Sequence, residues 1–274
     1  MTKINKLVIP VAGLGTRFLP VTKGVPKEML PIVSKPTIMI LLEEAIDAGI
    51  EEVLFVINSR KECIKTFFEM EELYEGKVDD IKEITQSIKI NYVYQEKPLG
   101  SGDAILKAKN FVGNNPFAII YGDDLIKGKS AIKELIIDYD KYQSNIIGIS
   151  KVDSKDLSKY GIIEFKENNE INRIIEKPNI NEAPSNYAVL GRYIFNPEIF
   201  ECLEQLKMQS KNEYQLTEAM TMLMKKQKFY GCKFSGKYFD IGSKIGYLKA
   251  NIEYALDNDE LSSELKEYLK NLSI

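Results

Sequence analysis

Short apolar runs recur along the chain, and between them apolar residues fall three and four positions apart. Leu7-Val8-Ile9-Pro10-Val11 and the segments 52–57, 91–94, 117–121 and 145–149 are too short for helices and rich in β-branched and aromatic residues, so each predicts a buried strand. The intervening spacing predicts helices over 37–46, about 61–74, 104–111 and 130–142. Pro36 stands where the first of these begins, and Gly49 supplies its stop. Strands alternating with amphipathic helices predict an α/β fold: a doubly wound, mainly parallel mixed sheet flanked by helices, with ligands at the carboxyl ends of the strands.

From about residue 151 the pattern changes. Shorter alternating strands at 162–165, 171–175 and 187–195, divided by polar turns, predict a smaller α+β extension of the same sheet. Without a Pro/Ser-rich linker, the reading is a single domain over 1–274, with halves at about 1–150 and 151–256 and a last helix in 257–274. Within 259–272, Leu261, Leu265, Tyr268 and Leu272 share one helical face, whose expected fate is docking on the core, contact with a second copy being the other.

Composition narrows the chemistry. The chain has 274 residues, 37 Lys and Arg against 40 Asp and Glu, and a net charge of −3, which argues against a general nucleic-acid-binding surface. The start, Met1-Thr2-Lys3-Ile4-Asn5, lacks a signal-peptide core and no apolar run approaches bilayer length, so a cytoplasmic location is expected. There is no histidine, and Cys63, Cys202 and Cys232 are far apart with no Cys-x-x-Cys pair. That excludes structural zinc and imidazole-activated nucleophiles, and predicts buried, reduced thiols. Any reaction here proceeds without an imidazole base, a condition met by transfer to a phosphate that is already ionised.

The first strand opens into Ala12-Gly13-Leu14-Gly15-Thr16-Arg17, followed by Lys23, Lys27 and Glu28. Two glycines let backbone N–H groups approach phosphate oxygens, and the cations supply charge. Phe18 replaces the third glycine of a dinucleotide fingerprint and Pro20 opposes a helix there, which disfavours an NAD-dependent dehydrogenase. No Gly-Lys-Ser/Thr marks a Walker loop. Gly122-Asp123-Asp124 leaves another apolar strand, and because neighbours on an extended backbone point opposite ways, one of the two aspartates is expected to face a ligand. Asp240, in Tyr238-Phe239-Asp240-Ile241-Gly242, sits at a similar exit. Each carboxylate alone reads as a turn or cap residue; two from separate strands beside a phosphate loop suit Mg²⁺. Glu176-Lys177 is either a solvated ion pair or a grip on sugar hydroxyls and a phosphate. Gln95, before Pro98-Leu99-Gly100-Ser101-Gly102, can read a base edge through its amide.

Leu7 through Met29, LVIPVAGLGTRFLPVTKGVPKEM, resembles the signature of bacterial UTP–glucose-1-phosphate uridylyltransferases (UDP-glucose pyrophosphorylases), a family of sugar nucleotidyltransferases. The likeness continues in order through Gln95 with Pro98-Leu99-Gly100, Gly122-Asp123-Asp124, Lys159-Tyr160-Gly161-Ile162-Ile163 and Glu176-Lys177-Pro178. It runs on through Ala183-Pro184-Ser185-Asn186, Gly191-Arg192-Tyr193, Gln215-Leu216-Thr217 and Asp240-Ile241-Gly242 to Gly246-Tyr247-Leu248-Lys249-Ala250, about residues 5 to 256. The resemblance implies that Ala12, Gly13 and Gly15 place the nucleotide through their backbone and that Arg17 and Lys27 meet its triphosphate. It implies Gln95 and Gly100 as readers of uracil, Asp123 and Asp240 as holders of Mg²⁺, and Glu28 as support for the nucleotide pocket. Glu176, with the backbone near Gly161 and Val189, would hold glucose, and Lys177 the sugar phosphate.

The chain departs from that family at Tyr94, where Arg is common, at Gly-Ser-Gly-Asp over 100–103 in place of Gly-Leu-Gly-His, and at Ile241 in place of Cys; the segment 69–89 matches weakly. The implied reaction is attack by glucose 1-phosphate on the α-phosphorus of UTP, giving UDP-glucose and pyrophosphate, in a homodimer or homotetramer. The same chemistry with dTTP or another hexose 1-phosphate is the alternative, and a non-catalytic nucleotide-sugar-binding regulator a more distant one.

Overall fold

A computed structural model describes residues 3–69, 79–209 and 212–272. The chain opens with β1 (Lys6–Pro10), passes a loop and a small hairpin of β2 (Pro31–Ile32) and β3 (Lys35–Pro36), and enters α1 (Thr37–Asp47). β4 (Glu52–Ile57), α2 (Glu62–Glu69), α3 (Asp79–Ser87), β5 (Lys89–Tyr94), α4 (Ser101–Leu106), α5 (Lys109–Val112) and β6 (Phe117–Ile120) complete the alternating part. β7 (Asp124–Lys127) and α6 (Ala131–Tyr142) lead to β8 (Asn145–Lys151), β9 (Gly161–Phe165), β10 (Ile171–Glu176) and β11 (Tyr187–Phe195). α7 (Ile199–Gln209), α8 (Leu216–Leu223), β12 (Phe229–Lys233), β13 (Lys237–Asp240), α9 (Lys244–Leu256) and α10 (Ser262–Asn271) follow.

The main sheet runs β10-β9-β11-β6-β1-β4-β5, with β8 pairing β11 and β12. β1 is parallel to β4 and β6, and β4 to β5, so Val8 lies opposite both Leu54 and Ile119. β11 is antiparallel to β6, β8 and β9, which brings strands from both halves of the sequence into one sheet. Alternation along β1 sorts the core into two faces. Leu7 and Ile9 pack with Ile38, Leu41 and Leu42 of α1, whereas Val8 packs with Ile105, Phe200 and Leu203 from α4 and α7. β13 pairs with β7 outside the main sheet and sets Asp240 opposite Asp124.

Pro36 caps α1, and Gly49 leaves its end at φ 78° with its N–H on Ile46 O, the left-handed stop expected of glycine. The helix expected over 104–111 is two short ones, because the Ala108 N–H bonds Ile105 O rather than continuing the helical ladder. The helix expected over 61–74 is described as α2 up to Glu69, and the rest lies outside the described residues.

Two expectations are corrected. α10 buries none of its residues and packs against α9 rather than docking in the core; Tyr268 on it, and Leu261 and Leu272 at its two ends, are exposed. All three cysteines are free, but Cys63 is exposed on the first turns of α2, and only Cys202 and Cys232 are buried.

Candidate active site

The parallel register aligns the carboxyl ends of β6, β1, β4 and β5 along one edge, where they release Gly122-Asp123, the 11–30 loop, Asn58 and Gln95. The loop is built from single 3-10 turns rather than a helix, in keeping with Pro20 and Pro26. Gly15 has φ 66°, and the Thr22 hydroxyl donates to its carbonyl at 2.8 Å. A Cβ at Gly13 would meet nothing within 4 Å, so the backbone there faces open space. Side chains fix the loop from below. Asn58 Nδ2 donates to Ala12 O at 2.5 Å, while Lys61 Nζ reaches Val11 O at 2.6 Å and Glu28 Oε2 at 2.7 Å.

Above this base lies a compact set of charges. Lys27 Nζ meets Asp123 Oδ2 at 2.6 Å, Arg17 Nη2 meets the same oxygen at 3.3 Å, and Arg17 Nη1 lies 3.9 Å from Asp240 Oδ1. Burial works against the charge of Lys27, but the carboxylates of Asp123 and then Glu28 outweigh it and raise its pKa. Burial likewise opposes ionisation of Asp123, and Lys27 followed by Arg17 overrides it, holding that carboxyl below its ordinary range. Lys61, farther inside, is lowered by burial that Glu28 only partly offsets. Gly242 makes the approach possible, since a Cβ there would stand 2.7 Å from Asp123 Oδ2 and 2.8 Å from Arg17 Nη2.

Asp123 and Asp124 face opposite ways, though the cause is a turn rather than an extended backbone: the Asp124 N–H bonds Tyr121 O at 3.2 Å, Asp123 stands in the turn and Asp124 opens β7. Asp124 turns inward, accepting from the Tyr238 hydroxyl at 2.6 Å and from the Gly191 N–H at 3.0 Å. Burial, with Asp123 beside it, pushes its carboxyl up to about 6. Behind it Arg192, wholly buried, donates from Nη2 to Asp124 O at 2.8 Å and pairs with Glu44 at 2.7 Å.

Two further groups flank the charges. Ala12, Gly13, Gln95, Gly100 and Asp123 line one cavity of about 310 Å³. Gly100 has φ 93°, and a Cβ on it would stand 2.3 Å from Tyr214 O. On the other side, Gly161 and Glu176 are register partners in β9 and β10; a Cβ at Gly161 would lie 3.2 Å from Glu176 Oε2 and 3.7 Å from Val189 Cγ2. Lys177 follows at φ 46°, its N–H on Tyr160 O at 3.0 Å. The Tyr160 ring packs edge-on against Tyr238, 6.5 Å away, which connects this corner to Asp124. The Lys177 ammonium is exposed, 3.9 Å from Glu176, and forms no ion pair with Asp123 or Asp240.

Arg17, Lys27, Asp123 and Asp240 are therefore in contact. Glu28 lies beneath them, buried and joined to Lys61, with its Oε1 free of hydrogen bonds and 3.9 Å from the Lys27 ammonium. Lys61, Asn58, Glu44 and Tyr214 were not singled out in the sequence, and Arg192 and Asp103, though noted within the family pattern, were given no role, because their partners lie on distant elements. Among the described residues no group of three or more acidic, Cys or His side chains gathers for a metal. Asp123 and Asp240 present two carboxylates with one guanidinium spanning them; a pair of hard oxygen donors fits a hard divalent cation, which would take its other ligands from elsewhere.

A family model, nucleotidyl transferase, matches residues 6–256. A curated relative from Staphylococcus epidermidis, UTP–glucose-1-phosphate uridylyltransferase, is 43% identical over 288 aligned positions that cover all of both chains. The Streptococcus pyogenes protein of the same name is 42% identical, covering 99% of this chain and 95% of its own. Two solved structures superpose closely. A UDP-glucose pyrophosphorylase complexed with UDP-glucose has TM-score 0.86 and 40% identity, covering 93% of this chain and 100% of its own. A UTP-bound UGPase from Acinetobacter baumannii has TM-score 0.88 and 37% identity, covering 99% and 100%. The chain belongs to the nucleotidyl transferase family and, within it, to the UTP–glucose-1-phosphate uridylyltransferases.

Proposed function

We propose that the chain joins UTP and glucose 1-phosphate into UDP-glucose and pyrophosphate, and that the edge cavity, the charge cluster and the Glu176 corner hold the base, the phosphates and the sugar in that order. The observation that carries this reading is the joint approach of Arg17 and Lys27 to Asp123, with Asp240 beyond, at the strand edge from which the glycine loop departs. A phosphate oxygen of glucose 1-phosphate attacks the α-phosphorus of UTP, the bond to the bridging oxygen of the β-phosphate breaks, and pyrophosphate leaves with the electron pair. No base is required, because a sugar phosphate is already ionised at neutral pH. The obstacle is repulsion between polyanions, roughly 4 kcal/mol per pair of unit charges at about 4 Å and an effective dielectric near 20. Arg17 and Lys27 offset it on the nucleotide, and Lys177 does so on the sugar phosphate.

Asp123 and Asp240 are the residues that would hold Mg²⁺, which when bound adds charge neutralisation at the phosphates. The backbone of Ala12, Gly13 and Gly15 seats the nucleotide, Gln95 and Gly100 bound the base, and Glu176 accepts sugar hydroxyls beside Gly161 and Val189. Incubating purified protein with UTP, glucose 1-phosphate and Mg²⁺ tests the reading. UDP-glucose identified by mass, with stoichiometric pyrophosphate, is expected, and absence of product over hours at micromolar enzyme refutes it. Substituting dTTP or galactose 1-phosphate in the same assay separates the sister activities.

We further propose that the chain self-associates through α9 and α10, whose Ile245, Leu248, Ile252 and Tyr268 are exposed and apolar. Light scattering should give a dimer or tetramer that Leu248→Glu with Tyr268→Glu breaks into monomers; a monomeric parent protein refutes this. Among the described residues no helix is long and apolar enough to cross a membrane.

A further inference from the structure

Asp103 departs from the His of the related family pattern, and it is buried at 2% exposure directly behind Gln95. Gln95 Nε2 donates to Asp103 Oδ2 at 3.0 Å and to Gly100 O at 3.0 Å. The Tyr214 hydroxyl donates to the other carboxylate oxygen, Oδ1, at 3.2 Å. Tyr214 is itself pinned by its N–H on Leu99 O at 3.0 Å and its carbonyl on the Gly102 N–H at 3.1 Å. Gly102 has no room for a side chain, since a Cβ there would lie 2.6 Å from the Tyr214 ring. Asp103 is thus held in one orientation from two sides.

We infer that Asp103 is a positioning residue that sets which face of the Gln95 amide meets the base. A carboxylate oxygen and a backbone carbonyl both accept, so the amide must turn its NH₂ toward them; both N–H bonds are then spent. What Gln95 has left to offer the cavity it lines is the carbonyl Oε1, an acceptor. An acceptor pairs with a pyrimidine whose N3 carries hydrogen, as in uracil or thymine, and repels cytosine, whose N3 is itself an acceptor. The device selects the imide pyrimidines as a class and does not separate uracil from thymine, which differ by a methyl group elsewhere on the ring. A site committed to one hydrogen-bond pattern rejects the reversed pattern strongly, because a buried polar group would be left unpaired.

This inference rests on the reading of Gln95 as a base contact, and the experiment distinguishes the two. Asp103→Leu and Gln95→Ala are assayed with UTP and CTP at saturating glucose 1-phosphate, with thermal melting as the check on folding. The expected result for Asp103→Leu is a fall of about tenfold or more in the UTP over CTP ratio of kcat/KM, carried by a higher KM for UTP and little change in kcat. An unchanged ratio in Asp103→Leu, with a lowered one in Gln95→Ala, overturns the role of Asp103 and leaves the base pocket standing. No change in either variant overturns both. Should Asp103→Leu fail to fold, Tyr214→Phe removes the second hold on the carboxylate without touching Gln95. A fall of about threefold in the ratio supports the inference, and an unchanged ratio overturns it.

Discussion

Arg192 and Glu44 are separated by 148 positions and meet in the core through two contacts, Nε to Oε1 at 3.1 Å and Nη2 to Oε2 at 2.7 Å. The pair joins β11 to α1, and the same guanidinium holds Asp124 O at 2.8 Å, so the turn that carries Asp123 is anchored to both. Removing one member of a buried pair strands the other charge, at a cost of about 3–5 kcal/mol. Glu44→Ala should therefore lower stability by that amount in urea titration. Glu44→Leu combined with Arg192→Leu should cost less than Glu44→Ala alone in the same titration, because no charge is left unpaired. If Glu44→Ala unfolds like the parent protein, the pair does not anchor the turn.

Gly242→Ala tests the charge cluster with a single methyl group. The two atoms it would meet most closely, Asp123 Oδ2 at 2.7 Å and Arg17 Nη2 at 2.8 Å, are ends of flexible side chains, and Asp123 Cβ at 3.1 Å need yield only a few tenths of an ångström, so the fold survives. Their mutual geometry does not survive. Turnover should fall about 10²-fold, the scale expected when a preorganised electrostatic contact is displaced, with the melting temperature within a few degrees of the parent. Full activity in this variant would show that the approach of Arg17 to Asp123 is dispensable.

Lys177 stands apart from that cluster, with its side chain 63% exposed and Glu176 as its ionic neighbour. Lys177→Ala should leave stability unchanged, since an exposed pair of this kind contributes little. Its effect should fall on the reaction: a rise in KM for glucose 1-phosphate and a loss of about 10²-fold or more in kcat/KM, with the KM for UTP near that of the parent. An equal rise in both KM values would place Lys177 on the nucleotide instead.

The alternating elements and the strand-edge location of the site were legible because apolar runs and glycine exits carry them directly. Asp123 and Asp240 could be picked out because each stands where an apolar run gives out, and Arg17 and Lys27 because they are cations following the glycine loop. Glu44 and Arg192 could not, since a glutamate in an amphipathic helix and an arginine in a strand both read as solvent-facing until the partner across the sheet is known. Asp103 was visible only as a departure at one position of a pattern; its bond to Gln95 is direct, but the second hold on its carboxylate comes from Tyr214, more than a hundred residues on. The apolar stripe of α10 shows the limit of periodicity, which marks a face to be covered without saying by what.

Asp124 supplies a pH signature that its neighbour does not share. Its folded-state pKa is raised to about 6 by burial and by Asp123, against an unfolded value of about 3.9. Between those values the folded state holds a proton that the unfolded state has released, so stability falls as pH rises from about 4 to about 6 and is level above. Two units correspond to a loss on the order of 3 kcal/mol. Asp123, whose pKa is lowered, contributes with the opposite sign and in another window: its stabilisation is complete above about 3.9 and is lost only as pH falls further. In Asp124→Asn the amide can still accept from the Tyr238 hydroxyl but cannot titrate, so the fall specific to Asp124 should vanish. Urea unfolding of both proteins in chelator from pH 4 to pH 7.5 measures this. The stability of Asp124→Asn relative to the parent should climb through that range and flatten near pH 6.5, and parallel curves would show that Asp124 is ionised throughout.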